Sequence, residues 1–190
     1  MGKIILASSS PRRATILKKM NLDFRVIPSS YVEPHDQTVF SYEYVENLAL
    51  NKALDVAKKF RNEDYTVIGA DTIVVIDKKI LGKPIDKTDA IKTLKLLSGK
   101  THFVVTSVAV VNSKTLESKV KSTTTNVTFN KLTDEQIEYY IENFKPFDKA
   151  GSYGIQELPE GYVQEVSGYT DNVIGLPSKT LSDLLEQTFG

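Results

Sequence analysis

Lys3 to Ala7 is a near-continuous apolar run that gives way within three serines to Pro11. A strand that is apolar on both faces needs cover on both sides, as the strands of parallel α/β sheets have. Ser10 suits a helix N-cap and Pro11 the first helical position, so a helix over Ser10 to Met20 follows at once. A buried strand feeding a helix sets the terms for the rest: the chain must build a sheet with helices packed on it.

The remaining sequence keeps that mixture. Phe24 to Pro28 reads as a short strand, followed by a loop holding Tyr31, Glu33, Pro34 and His35. Ser41 to Phe60 carries an apolar stripe of Val45, Leu48, Ala49, Val56 and Phe60 at helical spacing, and Lys52 falls on it. Thr66 to Ala70 reads as a strand ending at Asp71. Thr72 to Ile76 and Lys79 to Leu81 are strand-like around the turn Asp77-Lys78-Lys79. Asp86 to Ser98 is a helix with Gly99 in the C′ position. Thr101 to Val111 and Leu116 to Phe129 pair as long antiparallel strands. The apolar run from Phe103 to Val111 is broken by Thr106 and Ser107, and its face assignment is ambiguous. Thr133 and Gln136 form a capping box for a helix reaching Phe144. Gly161 to Val166 is a strand and Pro177 to Gln187 a closing helix. The expected fold is α/β with antiparallel additions and a parallel group around the first and third strands. The chain is expected to be one domain, 1–190, with residues from about 100 to 166 able to form a second lobe across a cleft.

Composition narrows the function. Lys plus Arg and Asp plus Glu both number 24, so the net charge is zero. That excludes non-specific binding to nucleic acid or acidic membranes as the main activity, while leaving room for a local basic pocket. Cysteine is absent and histidine occurs twice, so a metal would be held by oxygen or by those two histidines, which favours hard ions such as Mg²⁺ or Mn²⁺. No apolar run reaches the length of a signal-peptide core or a membrane span, and a cytoplasmic location is expected.

Four segments could carry chemistry. Ser8-Ser9-Ser10-Pro11-Arg12-Arg13 joins the buried strand to a helix N-terminus, where free N–H groups, hydroxyls and guanidiniums suit phosphate oxygens. The plain alternative is a capped helix with solvated arginines, but two cations in a first turn oppose the helix dipole and call for an anion. Gly69-Ala70-Asp71-Thr72 delivers a carboxylate to an expected strand end, where it could bind a hard metal, act as general base or merely cap a turn. Lys52 and Lys83, the latter in Gly82-Lys83-Pro84, could each neutralise a phosphate; Lys52 could equally snorkel and Lys83 serve a turn. Glu33 is a second metal carboxylate or an ordinary loop charge. Asp148 to Gln156 holds Gly151 and Gly154 around Tyr153, suggesting a loop whose backbone approaches a ligand and whose Gln156 reads a base edge, or else a tight turn. His102 is a weak ligand candidate beside a structural role.

Taken together these segments resemble the Maf family of nucleoside triphosphate pyrophosphatases. The matching pieces are Leu6 to Arg13, Gly69-Ala70-Asp71-Thr72, Gly82-Lys83-Pro84, Leu97-Ser98-Gly99 with His102, Asp148 to Gln156, and Gly175-Leu176-Pro177. They follow the family's order across the chain. The resemblance implies an elongated mixed sheet flanked by helices, like the inosine-triphosphate pyrophosphatases, and a homodimer. It implies hydrolysis of a nucleoside triphosphate to the monophosphate and pyrophosphate with Mg²⁺ or Mn²⁺. It places the catalytic carboxylate on Asp71, substrate discrimination on Arg12, Thr72 and Gln156, and further pocket roles on Ser8, Arg13, Glu33, Lys52 and Lys83, with Glu33 beside Asp71 at the metal. The Ala-Asp-Thr and Tyr-Gly-Ile-Gln patterns are those of the branch acting on dTTP and UTP. Thr15 departs from the glutamate that family members carry after the paired arginines. Competing with this are a regulatory nucleotide-binding protein linked to septum formation, with incidental hydrolysis, and a sugar-phosphate or monophosphate phosphatase.

Overall fold

The computed structural model describes residues 3–34 and 36–187; His35, which the sequence assigns to a loop, lies outside the described residues. The elements in chain order are β1 (Lys3–Leu6), α1 (Pro11–Lys19), β2 (Phe24–Val26), α2 (Tyr42–Ala57), β3 (Tyr65–Ile76), β4 (Lys79–Leu81), α3 (Lys87–Leu97), β5 (Thr101–Asn112), β6 (Ser118–Phe129), α4 (Asp134–Phe144), β7 (Val163–Ser167), α5 (Thr170–Ile174) and α6 (Ser178–Glu186). The seven described strands form one mixed sheet in the order β2-β1-β3-β5-β6-β7, with β4 paired antiparallel to β3. β1 is parallel to β2 and β3, and the ladder from β3 through β7 is antiparallel. The segment from 100 to 166 therefore extends the same sheet. Among the described residues no helix is long and apolar enough to cross a membrane.

β3 corrects the sequence reading. It runs unbroken for 12 residues, so Asp71 sits in mid-strand and not at a strand end. One edge of β3 pairs with β5 from Thr66 to Val75. The other edge pairs with β1 only from Tyr65 to Ile68 and with β4 only from Val74 to Ile76. Among the described residues, 69–73 have no strand partner on that edge. The sequence reading ends one strand at Asp71, a residue type that strands disfavour, and starts another at Thr72, but the continuous β5 ladder carries β3 through it.

The pleat sorts the core. Ile68 and Ala70 of β3, with Val108 and Val110 of β5, pack beneath α1 and α6. Val74 and Ile76 on the same face pack with Val104 beneath α3 and α4. Val67, Ile73 and Val75 on the opposite face meet α2 through Val45, Ala49, Ala53 and Val56. β5 is covered on both faces, which is why its alternation did not reveal an inner side. Thr133 with Gln136 closes the expected capping box; Ser10 takes the N-cap position of α1 without a side-chain cap hydrogen bond, and Ser41 and Asp86 accept from Tyr44 N and Asp89 N. The five-residue α5 was not foreseen; it is too short to show a helical period.

Gly69 sets how closely α2 lies on β3. A Cβ there would sit 2.4 Å from the Ala49 carbonyl oxygen and 2.8 Å from Ala53 Cβ. Gly69→Ala must push the α2 backbone away, at a cost of about 1–3 kcal/mol. Thermal unfolding checks this, because each kcal/mol lowers Tm by about 2–4 °C in a chain of this size; an unchanged Tm would contradict the packing.

His102 is only 2% exposed and edge-packed on the rings of Phe129 and Tyr153. Its Nε2 lies 2.7 Å from Tyr153 Oη, and Nδ1 has no hydrogen-bond partner among the described residues. Burial lowers its pKa from 6.5 to about 4. The unfolded chain therefore takes up a proton that the folded chain refuses between those values. Stability attributable to His102 is whole above pH 6.5 and falls by up to about 3 kcal/mol as the pH drops towards 4. Urea unfolding across that range should show a steeper pH dependence for wild type than for His102→Gln; parallel curves would refute it.

Candidate active site

The unpaired stretch of β3 gathers the charged groups. β1 ends at Leu6, Ala7 N still donates to Ile68 O at 2.8 Å, and the chain then turns out of the sheet into Ser8. α1 starts at Pro11, with Ser10 in extended conformation at the N-cap. The start of α1 thus lies against the open edge of β3, where neither β1 nor β4 continues.

On the α2 face, Asp71 is 7% exposed. Lys52 lies one residue before Ala53, which packs on Gly69, so the close approach brings its ammonium onto the carboxylate. Lys52 Nζ is 2.5 Å from Asp71 Oδ1 and 2.6 Å from Glu33 Oε1. Burial pushes the Asp71 carboxyl above its ordinary range, with Glu33 adding to the shift; the positive charges of Lys52 and Arg13 oppose it. Among the described residues Asp71 Oδ2 receives no hydrogen bond. Tyr44 Oη donates to Pro34 O at 3.1 Å, tying the Glu33 loop to α2. Burial, then the charges of Asp71 and Glu33, raises the Tyr44 phenol.

On the opposite face, Thr72 meets Arg13. Arg13 donates from Nε to Gly175 O at 2.8 Å, from Nη1 to Ser8 Oγ at 3.2 Å and from Nη2 to Thr72 Oγ1 at 3.1 Å. Burial lowers the Arg13 pKa, and Asp71 opposes that shift, so the two charges act on one another around the strand edge. Arg12 Nη1 lies 3.6 Å from Asp148 Oδ2, both partly exposed, so the anion that the paired arginines call for is in part internal.

Asp148 also meets Lys149 Nζ at 3.0 Å, and Lys149 reaches Glu157 Oε2 at 3.1 Å. Gly151 N donates to Gly82 O at 3.1 Å, joining the 148–157 segment to the Gly82-Lys83-Pro84 loop. Lys83 and Gln156 lie on these two connected loops, both exposed, and neither side chain hydrogen-bonds to the described residues. Ser8, Arg13 and Thr72 thus form one hydrogen-bonded set and Asp71, Lys52 and Glu33 another, on opposite faces of β3 and joined only through the consecutive residues Asp71 and Thr72; Arg12 pairs with Asp148, and Lys83 and Gln156 stand at the margin. Two details correct the sequence reading of 148–156. Gly151 has φ +70°, and a Cβ there would lie 2.9 Å from Val74 Cγ1, so this glycine serves packing on β3 and not ligand approach. Tyr153 is buried with its hydroxyl on His102, so it presents no ring to a base, and His102 has a structural role.

The donor set fits a hard divalent cation. Asp71 and Glu33 already bracket one cationic group, the Lys52 ammonium, and no cluster of three or more metal-binding side chains occurs among the described residues. Two carboxylates, with water and substrate phosphates completing the shell, is the pattern Mg²⁺ accepts.

Sequence reasoning missed Tyr44, Asn172 and the role of Thr106. For Thr106 a signal existed: a hydroxyl interrupting an otherwise apolar strand. Ser107 follows the same logic, bonding Ser122 Oγ at 2.6 Å, which donates to Glu46 Oε1 at 2.7 Å.

Residues 3–188 match the family profile described as Maf-like protein. The chain is 45% identical over 191 residues to a dTTP/UTP pyrophosphatase of Acetivibrio thermocellus, covering 98% of this chain and 95% of the relative. It is 44% identical over 188 residues to a dTTP/UTP pyrophosphatase of Clostridium botulinum strain Alaska E43, covering 97% and 98%. Among solved structures, a HAM1 protein from Coxiella burnetii superposes with TM-score 0.57 at 16% identity, covering 99% of this chain and 100% of that one, a likeness of fold.

Proposed function

The chain belongs to the Maf-like family, and from that premise we propose that it hydrolyses dTTP, UTP and modified pyrimidine nucleoside triphosphates to the monophosphate and pyrophosphate. The observation that carries this reading is the buried Asp71 carboxylate placed around one strand edge from the Arg13 guanidinium. The names of the relatives supply the substrate class.

In this reading Ser8, Arg12, Arg13 and Lys83 receive the phosphates, while Lys52 holds Asp71 Oδ1 and leaves Oδ2 to accept a proton. Water attacks the α-phosphorus, its proton passes to Asp71, and the bond to the bridging oxygen breaks so that pyrophosphate leaves. A divalent ion, Mg²⁺ or Mn²⁺, bound by Asp71 and Glu33, would supply charge neutralisation at the phosphate oxygens. Gln156, with a donor and an acceptor on one carboxamide, suits a pyrimidine edge, and Thr72 stands beside Arg13. The reading includes a single-domain, cytoplasmic homodimer without nucleic-acid or membrane partners; the zero net charge supports the last point.

Incubation with a panel of canonical and modified triphosphates, with Mg²⁺ or Mn²⁺, should release pyrophosphate and favour dTTP and UTP. Release of orthophosphate alone would replace the reading with a phosphatase. Asp71→Asn should lower turnover by about 10²- to 10⁴-fold, the weight of a general base, with circular dichroism unchanged; wild-type turnover would remove Asp71 from its role. Gln156→Ala should level the rates among bases more than it slows dTTP, and an unaltered substrate profile would discount it.

A further inference from the structure

Thr106 lies opposite Thr72 in the β3–β5 register and is fully buried. Its hydroxyl donates to Asn172 O at 2.8 Å. A hydroxyl has one hydrogen, so Thr106 cannot also donate to Thr72 Oγ1, 2.8 Å away. Thr72 must therefore donate to Thr106, and its remaining lone pairs face Arg13 Nη2 at 3.1 Å. The directions are fixed along the whole line: Arg13 gives to Thr72, Thr72 gives to Thr106, and Thr106 gives to the Asn172 carbonyl. Asn172 is itself pinned. Its Oδ1 accepts from Thr106 N at 3.2 Å, and its Nδ2 donates to Val104 O and Thr125 Oγ1, each at 3.0 Å.

Two consequences follow. The Thr72 hydroxyl has no hydrogen left to offer a ligand, and it holds the guanidinium instead. Arg13 spends three of its five N–H groups on Gly175, Ser8 and Thr72, so two stay without a protein acceptor among the described residues. Those two have a fixed direction because the other three are anchored.

We propose that Thr106 is a positioning residue for the reaction: through Thr72 it holds Arg13 so that the two uncommitted N–H groups form a rigid fork for a phosphate. This rests on the reading above that Arg13 binds the triphosphate. It differs from a general structural role because it predicts a loss in anion affinity and not in fold. Asn172 works behind it by fixing the hydrogen of Thr106.

The test compares Thr106→Val, which keeps the shape and removes the hydroxyl, with Thr106→Ser, which restores it. Inorganic triphosphate is the probe, measured by calorimetry on the full chain, beside kcat and KM for dTTP and a thermal melt. Thr106→Val should weaken triphosphate binding by about tenfold, as the loss of one hydrogen bond to a charged donor's partner allows. KM for dTTP should rise by a similar factor with kcat much less affected, and Thr106→Ser should recover most of both. Unchanged binding in a folded Thr106→Val overturns the proposal. So does a drop in Tm and kcat that serine fails to rescue. If wild type binds triphosphate in a Thr106-dependent way yet releases no pyrophosphate from any nucleotide, the catalytic reading falls and the positioning role stands. If wild type binds no triphosphate, both fall.

Discussion

Twelve residues of β3 meet four of β1 and three of β4 along one edge, and the interval between those partners determines where everything else goes. An unpaired edge exposes backbone donors and acceptors and is ordinarily covered or charged. Here β1 stops at Leu6, so the chain must turn outward at Ser8, and the start of α1 is set down beside the opening. The same interval holds Asp71 and Thr72. A β1 two residues longer would pair along the opening and displace the Ser8–Arg13 turn from the carboxylate.

The charges around that opening are held by partners of different strength. Lys52 sits between Asp71 and Glu33; Lys52 and Asp71 lose most of their water, while the Glu33 side chain stays 39% exposed. Removing one member of such a set leaves an uncompensated charge, which is costly, whereas the assembled set merely offsets its own desolvation. The ammonium thus keeps two carboxylates side by side without mutual repulsion. The Arg12–Asp148 pair is of the other kind, exposed and 3.6 Å apart, and contributes little to stability. It is the contact most easily exchanged for a phosphate. A rigid inner set and an exchangeable outer pair provide what electrostatic preorganisation requires, fixed dipoles where charge develops and access where ligand enters.

Much of this was legible in the residues, for local reasons. Ser10-Pro11, Ser41, Asp86, Thr133 with Gln136, and Gly99 mark helix ends through chemistry that needs no tertiary context. The resemblance assigns Ser8, Arg13, Glu33, Lys52, Asp71 and Thr72 to one site; the fold holds them as two sets, Ser8, Arg13 and Thr72 on one face of β3 and Glu33, Lys52 and Asp71 on the other. What stayed hidden depends on distant partners. Gly69 reads as an ordinary strand residue, yet its missing side chain makes room for the helix carbonyl of Ala49. Gly151 and Tyr153 read as a ligand loop, yet they pack on Val74 and His102. The face ambiguity of β5 is resolved only by knowing that helices cover both sides. Thr106 and Ser107 were visible as interruptions, but what they bond to is 34 residues back for one and 15 ahead for the other.

Asp71 and Thr72 are consecutive in a strand and so point to opposite faces. The carboxylate is held by α2 on one side and the guanidinium by Thr72 on the other, so any group touching both must straddle the edge of β3 and cannot lie along a face. The arrangement depends on register. A slip of one residue between β3 and β5 would send Asp71 to the face of Arg13 and Thr72 to the face of Lys52. Ten consecutive pairs oppose such a slip, and the polar ones are matched: Thr66 faces Asn112 at one end, and Thr72 faces Thr106 and Asp71 faces Ser107 in the middle. A one-residue slip would set Thr72 against Val105 with Asp71 against Thr106, or Thr72 against Ser107 with Asp71 against Val108; in either direction the Thr72–Thr106 hydrogen bond is lost, a cost of about 1–3 kcal/mol for a buried group left unpaired. The hydroxyls that interrupt β5 therefore do two things at once. They hold the register, and they hold the side chains whose faces that register decides.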